Sequence, residues 1–122
     1  MRFVIPGPLP GLNEYIEAER SNLHAAAGMK KKTQHFIGAV ARSQHRKARF
    51  TNPVIMHYIW IEKDRRRDWD NVVFARKFIQ DAFVDAGILI DDGQKYVLGF
   101  TDRFAIDPKR PRVEIEIVEV KK

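Results

Sequence analysis

Residues 54–62, with the sequence VIMHYIWIE, place the strongest limit on how this chain can fold. β-Branched and aromatic residues fill most of this run, which is typical of a β-strand. Apolar side chains occur at both odd and even positions, which indicates a central position in the sheet. We therefore expect a central strand in a sheet, with further strands beside it and helices packed against it.

The remainder of the chain alternates between strand and helix patterns. Three more strands are expected, at about residues 2–6, 96–106 and 113–120. The last of these alternates apolar residues with glutamates and therefore has one solvated face. Helices are expected at residues 13–47, which Gly28 and the next lysines could divide in two, and at residues 71–86, with Asp70 or Asn71 as the N-cap. The order predicts one α/β (α+β) domain over residues 1–122, a small mixed β-sheet flanked by helices.

Positive charge is concentrated in two parts of the chain. The formal net charge is +6, and no Asp or Glu occurs between Arg20 and Asn52. A single basic run is usually a solvated surface, but two runs that flank an acidic cluster favour contact with a polyanion. The candidate nucleic-acid contacts are Lys30, Lys31, Lys32, Arg65, Arg66, Arg67, Arg76 and Lys77.

Several classes of protein are disfavoured by composition. The chain has no cysteine, which excludes disulfides and thiolate metal sites. Its four histidines match no zinc-binding spacing. The apolar run at the N-terminus is too short for a signal peptide or a membrane span. We therefore expect a soluble, cytoplasmic protein without a membrane partner.

Two acid pairs, Asp68-Trp69-Asp70 and Asp91-Asp92, stand out in this basic chain. In an extended segment, residues i and i+2 point to the same side, so the first two carboxylates suit a hard cation such as Mg²⁺. Each pair also has a simpler interpretation. Asp70 could cap the following helix while Asp68 pairs with Arg67, and an Asp-Gly sequence after Asp91 is common in turns.

Whether the two acid pairs meet depends on the path between them. A helix of about sixteen residues leads roughly 24 Å away from Asp70. The apolar residues 88–90 then permit a return through the core that would bring Asp92 back to the first pair. The sequence permits this return without requiring it.

Two segments of this region resemble one known family. They are residues 66–71 (RRDWDN) and residues 81–94 (DAFVDAGILIDDGQ). In the RusA family, the pattern R-D-x-D-N precedes a helix that contains D-A-L-x-x-A-G, and D-D-x-Q follows. Proteins of this family are small phage- and prophage-associated endonucleases that resolve Holliday junctions. The rest of the chain resembles the family only coarsely.

The resemblance implies a site and partners. By its motif, Asp68, Asp70 and Asp92 are the catalytic carboxylates that bind Mg²⁺, for which Mn²⁺ can substitute, and Asp91 is a less certain fourth ligand. Branched DNA is the implied partner of an intertwined homodimer that needs no small-molecule cofactor. The family usually has a lysine four residues after the second Asp of D-x-D, where this chain has Phe74. Arg76 or Lys77 could supply the charge, although helix geometry turns each away by about 100° per residue.

The expected function is that of a Mg²⁺-dependent endodeoxyribonuclease. It would resolve Holliday junctions and related branched DNA by paired nicks during recombination and repair. The alternative is a branched-DNA-binding protein with little or no activity, in which Phe74 marks lost turnover. A D-x-D sugar-nucleotide transferase is disfavoured, because the chain is short and has no Gly-rich phosphate loop.

Overall fold

The structure is a computed structural model and describes residues 1–121. Its strands are β1 (Arg2–Pro6), β2 (Val54–Glu62), β3 (Val97–Ile106) and β4 (Arg112–Glu119). Its helices are α1 (Leu12–Ser21), α2 (Leu23–Gln44), α3 (Trp69–Val73) and α4 (Arg76–Asp85). None of these helices is both long and apolar enough to cross a membrane.

The four strands form one mixed sheet in the order β1-β4-β2-β3. β2 pairs in parallel with β3 and antiparallel with β4, and β4 pairs antiparallel with β1. The prediction of a central strand at residues 54–62 is therefore confirmed, as is the α+β class with a small mixed sheet. β1 and β3 are the two edge strands.

The core lies between one face of the sheet and the helices. Along β2, Met56, Tyr58 and Trp60 are buried, while the residues between them are partly exposed. The helices contribute Ile37 from α2 and Phe83 from α4, among others. The opposite face of the sheet carries the partly exposed glutamates of β4, as the alternating pattern predicted.

The first predicted helix is divided at Asn22 instead of at Gly28. The Asn22 side chain accepts a hydrogen bond of 2.6 Å from the backbone N–H of Ala25 and so caps α2. Asparagine is among the best N-cap residues, because its side chain satisfies a backbone donor that the helix leaves free. Gly28 lies within α2 and interrupts nothing.

The second predicted helix begins two residues earlier than expected and is interrupted. Asp68, not Asp70 or Asn71, occupies the N-cap position of α3. At Phe74 and Ala75 the backbone keeps right-handed helical angles, but two i→i+3 hydrogen bonds of 3.2 Å replace the regular i→i+4 pattern. The path from α3 to α4 is therefore nearly continuous, and it ends at Gly87 with a φ of 76°, as predicted.

Candidate active site and nucleic-acid surface

The carboxylates of Asp68 and Asp70 face solvent at the start of α3. Asp68 has extended backbone angles and makes no capping hydrogen bond with its side chain, and Asp70 lies in the first turn. Both residues are exposed. Within residues 1–121, no ion pair includes either carboxylate. The simpler interpretation, a side-chain cap together with an Asp68–Arg67 pair, does not describe this arrangement.

Arg67 fixes the turn that carries these two acids. Its guanidinium donates to both carboxylate oxygens of Glu62, at 2.8 and 3.0 Å, and also to the Leu9 carbonyl at 3.0 Å and to Glu14 at 3.1 Å. Burial lowers the pKa of Arg67, but Glu62 and Glu14 more than offset this, and its net pKa lies above the usual value. Arg67 was predicted to contact DNA, but its donors are directed inward to these groups.

Asn71 holds the same turn from the other side. This residue is buried, and its Oδ1 accepts a 2.8 Å hydrogen bond from the backbone N–H of Asn13, at the start of α1. Gly11 approaches so closely that a Cβ atom there would lie 2.5 Å from Asn71 Oδ1. The turn that presents Asp68 and Asp70 is thus anchored by buried polar contacts on two sides. Sequence reasoning considered Asn71 only as a helix cap and missed this role.

The second acid pair lies in an ionic network on α4. Asp92 accepts a hydrogen bond of 2.9 Å from Lys77 Nζ, which also lies 3.1 Å from Asp81. The bond from Lys77 holds the pKa of Asp92 below its ordinary value, and the bond to Asp92 raises the pKa of Lys77. Lys77, one of the two cations that could replace the lysine of the resembling family, thus contacts Asp92. Asp91, the fourth candidate, is exposed to solvent.

The apolar segment that could return Asp92 toward the first acid pair does pass through the core. Ile88 and Leu89 are buried, and Leu89 forms a parallel bridge with Phe50. Within residues 1–121, the hydrogen bonds and ion pairs of Asp92 do not reach Asp68 or Asp70, and its carboxylate contacts Lys77 of α4 instead.

A complete carboxylate site for a metal is nevertheless not assembled. Among the described residues, no three His, Asp or Glu side chains are placed to hold a metal ion. Asp68 and Asp70 fit Mg²⁺ by the chemistry of their donors, because this ion often binds one or two carboxylates together with water and substrate phosphates. Asp92 does not fit as it is placed, because Lys77 holds its carboxylate.

Phe74 occupies the position where the resembling family usually has a lysine. Its ring packs against Tyr15 and Phe78, with centroids 5.4 and 5.6 Å apart. Phe74 therefore belongs to an aromatic cluster that joins α1 to the α3–α4 path. The cation on this part of the chain that reaches a candidate acid is Lys77, about one turn further on.

The other predicted DNA contacts differ in how available they are. Arg76 pairs with Asp102 and lies 4.0 Å above the Phe100 ring, so its guanidinium already has an ionic and an aromatic partner within the fold. Lys30 lies 3.6 Å from Asp81 and belongs to the network around Lys77. The exposed cations are Lys31, Lys32, Arg65 and Arg66, the last with a loose contact to Asp64 at 3.6 Å.

Phe36 adds an exposed aromatic ring to the basic part of α2. Phe36 is not part of the core, since 44% of its surface is accessible. It lines a shallow groove with Lys31, Lys32 and His35. Exposed aromatic rings next to cations are typical of surfaces that bind single-stranded nucleic acid.

A cavity of about 610 Å³ opens beside Asp68. Its walls include Arg65, Trp69 and Phe104, and the last two rings stack with centroids 4.4 Å apart. The cavity thus has an exposed cation, Arg65, and a candidate catalytic carboxylate, Asp68, among its lining residues.

Comparison with known proteins provides no family. The sequence matches no protein-family model and no curated protein. The resemblance to the RusA family therefore stays a prediction that depends on the motif residues themselves.

Proposed function

We propose that this protein is a Mg²⁺-dependent endodeoxyribonuclease that cuts branched DNA, with four-way Holliday junctions as its substrate in recombination and repair. One observation carries the proposal. Asp68 and Asp70 are exposed, have no ion-pair partner within residues 1–121, and lie on a turn that the polar contacts of Arg67 and Asn71 anchor. An anchored turn with unpaired acids is suited to hold a ligand in a fixed geometry.

The residues of the site have distinct roles in this proposal. Asp68 and Asp70 bind the ion, while Arg67 and Asn71 hold their turn in place. A bound Mg²⁺ would neutralise charge on a phosphate and lower the pKa of a bound water. The bond from Lys77 favours the ionised form of the Asp92 carboxylate. Contacts to the DNA backbone come mainly from four exposed cations, namely Lys31, Lys32, Arg65 and Arg66.

A homodimer is part of the proposal. A four-way junction is resolved by nicks in two strands related by two-fold symmetry. A dimer with the same symmetry presents two copies of the Asp68-Asp70 turn to those strands. A single copy would have to bind and cut twice.

Cleavage of a synthetic four-way junction tests the proposed function. We expect the protein to nick two opposite strands of the junction with Mg²⁺ or Mn²⁺, to leave a linear duplex of the same sequence intact, and to be inactive in EDTA. A gel that resolves both labelled strands measures the result. Equal cleavage of junction and duplex, or cleavage in EDTA, would contradict the proposal.

A second function, binding of branched DNA without cleavage, is favoured by one observation. Lys77 neutralises Asp92, and no three-carboxylate group is assembled among the described residues. A non-catalytic protein would shift the junction in a binding gel but leave it uncut with either Mg²⁺ or Mn²⁺. The same junction substrate therefore separates the two functions.

A further inference from the structure

The edge strand β3 carries a row of exposed apolar side chains. Leu98, Phe100, Phe104 and Ile106 are 52%, 47%, 41% and 36% accessible. Phe100, Phe104 and Ile106 occupy alternate positions with Asp102 between them and therefore lie on one face of the strand, while Leu98 lies at an irregularity where the register against β2 shifts. An exposed apolar set of this size on a surface usually marks an interaction site.

The backbone of β3 is open along its outer side. Within the described residues, β3 pairs with β2 alone, and no other strand lies beyond it in the sheet. A ten-residue edge strand presents unpaired N–H and C=O groups that are a template for a further strand. The apolar row and the open backbone thus favour the same kind of partner, which is another β-strand.

The sequence of β3 is symmetric about Asp102. Apolar residues lie two positions away on each side, at Phe100 and Phe104, and four positions away, at Leu98 and Ile106. In a two-fold interface each strand pairs antiparallel with an identical strand, so the order of its residues must match when it is read from either end. We propose that β3 pairs antiparallel with β3 of a second copy of this chain, with the two-fold axis at Asp102.

This register brings the two phenylalanines of the row opposite each other, since Phe100 faces Phe104 of the second copy. Ile106 then lies opposite the irregular segment that contains Leu98. Any other register that keeps the same faces of the two strands on one side differs by two residues. Such a register places Asp102 opposite a phenylalanine or leaves one end of the row without a partner. Cross-strand apolar and aromatic pairs are the contacts that stabilise antiparallel sheets.

The charges of the strand agree with the same register. Two Asp102 side chains meet at the axis, and like charges placed opposite each other are unfavourable unless they are paired. Each Asp102 already binds Arg76 of α4 and accepts a 2.8 Å hydrogen bond from Trp60 Nε1. The charge of each Asp102 is therefore balanced within its own copy before the two carboxylates meet at the axis.

The interface gives the homodimer of the proposed function a defined surface, but it does not depend on cleavage. Trp69 next to Asp68 stacks on Phe104, so the paired strands adjoin the turn that carries the first acid pair. The sheet becomes eight-stranded, with the helices of both copies on the same side. A dimer that forms but fails to cut DNA would overturn the proposed function and leave this inference intact.

The oligomeric state of charge variants tests the interface. We expect the wild-type protein to sediment as a dimer at micromolar concentration. In the variant Phe100→Glu/Phe104→Glu, we expect dimer affinity to fall by at least about a hundredfold. The control Val118→Glu changes a 44% accessible residue on β4 and should remain dimeric. A monomeric wild type, or a Phe100→Glu/Phe104→Glu variant that stays dimeric, would overturn the proposal.

Disulfide trapping tests the register. The chain has no cysteine, so any introduced disulfide of a single-site variant joins two copies. Opposed residues in an antiparallel pair have Cα atoms about 4.5–5.5 Å apart, within the span of a disulfide. We expect oxidised Thr101→Cys/Arg103→Cys to form a covalent dimer, because residue 101 faces residue 103 of the second copy. Each single variant should cross-link no more than Val118→Cys, and efficient cross-linking of either single variant would contradict the register.

Discussion

The two acid pairs of this chain differ in what holds them. Within residues 1–121, Asp68 and Asp70 have no ion-pair partner, and they lie on a turn whose neighbours Arg67 and Asn71 are hydrogen-bonded. Asp92 lies in a loop after α4, and its carboxylate is bound by Lys77. The carboxylates of the first pair are thus available to a ligand, whereas that of Asp92 is already paired. The comparison indicates that a ligand would meet the first pair as it stands and would have to displace Lys77 to engage Asp92.

The largest expected effect is on cleavage by the variant Asp70→Asn. The amide keeps the shape of the side chain and removes the charge, so we expect junction cleavage to fall by at least about a hundredfold. The free energy of unfolding should change by less than about 0.5 kcal/mol, because the carboxylate has no partner within the fold. Rates of junction nicking and urea unfolding measure these two effects.

Asp85→Asn is the matched control for this prediction. Asp85 is an exposed acid at the end of α4, outside both acid pairs. Full cleavage by the Asp85 variant would exclude a general effect of net charge. Wild-type cleavage by Asp70→Asn would remove the first pair from the mechanism.

The second-largest expected effect is on the stability of the fold, through Arg67, which holds the turn that carries Asp68 and Asp70. Arg67→Ala leaves the largely buried Glu62 without its cation, and we expect the free energy of unfolding to fall by about 2–3 kcal/mol. Arg66→Ala removes an exposed cation with one loose contact and should cost less than about 0.5 kcal/mol. Urea denaturation of both proteins measures the difference. Equal losses would mean that Arg67 does not anchor the turn.

A smaller effect is expected at Asn71. Asn71→Ala deprives the backbone N–H of Asn13 of its acceptor, and we expect a loss of about 1–2 kcal/mol in the free energy of unfolding. Asn13→Ala is the control, because it keeps the backbone donor and changes only an exposed side chain. A comparable loss in both variants would show that the hydrogen bond between them is not the cause.

The smallest effect is the pH dependence of the second pair. The pKa of Asp92 is lowered by Lys77, so its stabilising contribution is complete above the ordinary aspartate pKa of about 4 and is lost as pH falls through the lower folded value. The pKa of Lys77 is raised, so its contribution is complete below about 10.4 and is lost as pH rises through the higher folded value.

Carboxylate chemical shifts measured by NMR check this linkage. We expect the pKa of Asp92 to rise toward its ordinary value in Lys77→Met. The stability difference between Lys77→Met and wild type should stay below about 1 kcal/mol at neutral pH, because the lysine is largely solvated. An unchanged pKa of Asp92 in the variant would show that Lys77 does not hold it in solution.

Patterns within short segments predicted much of the fold. β2 was located to the residue, because a run of β-branched and aromatic residues lies between Pro53, which disfavours a continued helix, and the charged residues Glu62 and Lys63. Asn22 was missed although a Ser-Asn sequence before an apolar residue is a local N-cap signal. The interruption at Phe74 and Ala75 has no local signal, since residues 71–86 are all compatible with a helix.

The site was predictable only in part, because burial of charged residues depends on tertiary contacts. The sequence predicted DNA contacts from Arg67 and Arg76 as well as from Arg66 and Lys31. In the structure, Arg67 and Arg76 bind acids of other elements, whereas Arg66 and Lys31 face solvent. The Lys77–Asp92 contact joins residues fifteen positions apart through a loop whose path no periodicity determines.

The central claim is that both acid pairs serve one metal ion, and anomalous diffraction from crystals grown with Mn²⁺ tests it most directly. We predict an anomalous peak in contact with the carboxylates of Asp68 and Asp70, with Asp92 released from Lys77 and turned toward the ion. A well-ordered structure at millimolar Mn²⁺ with no peak at Asp68 and Asp70, or with a peak there while Asp92 stays bound to Lys77, would contradict it.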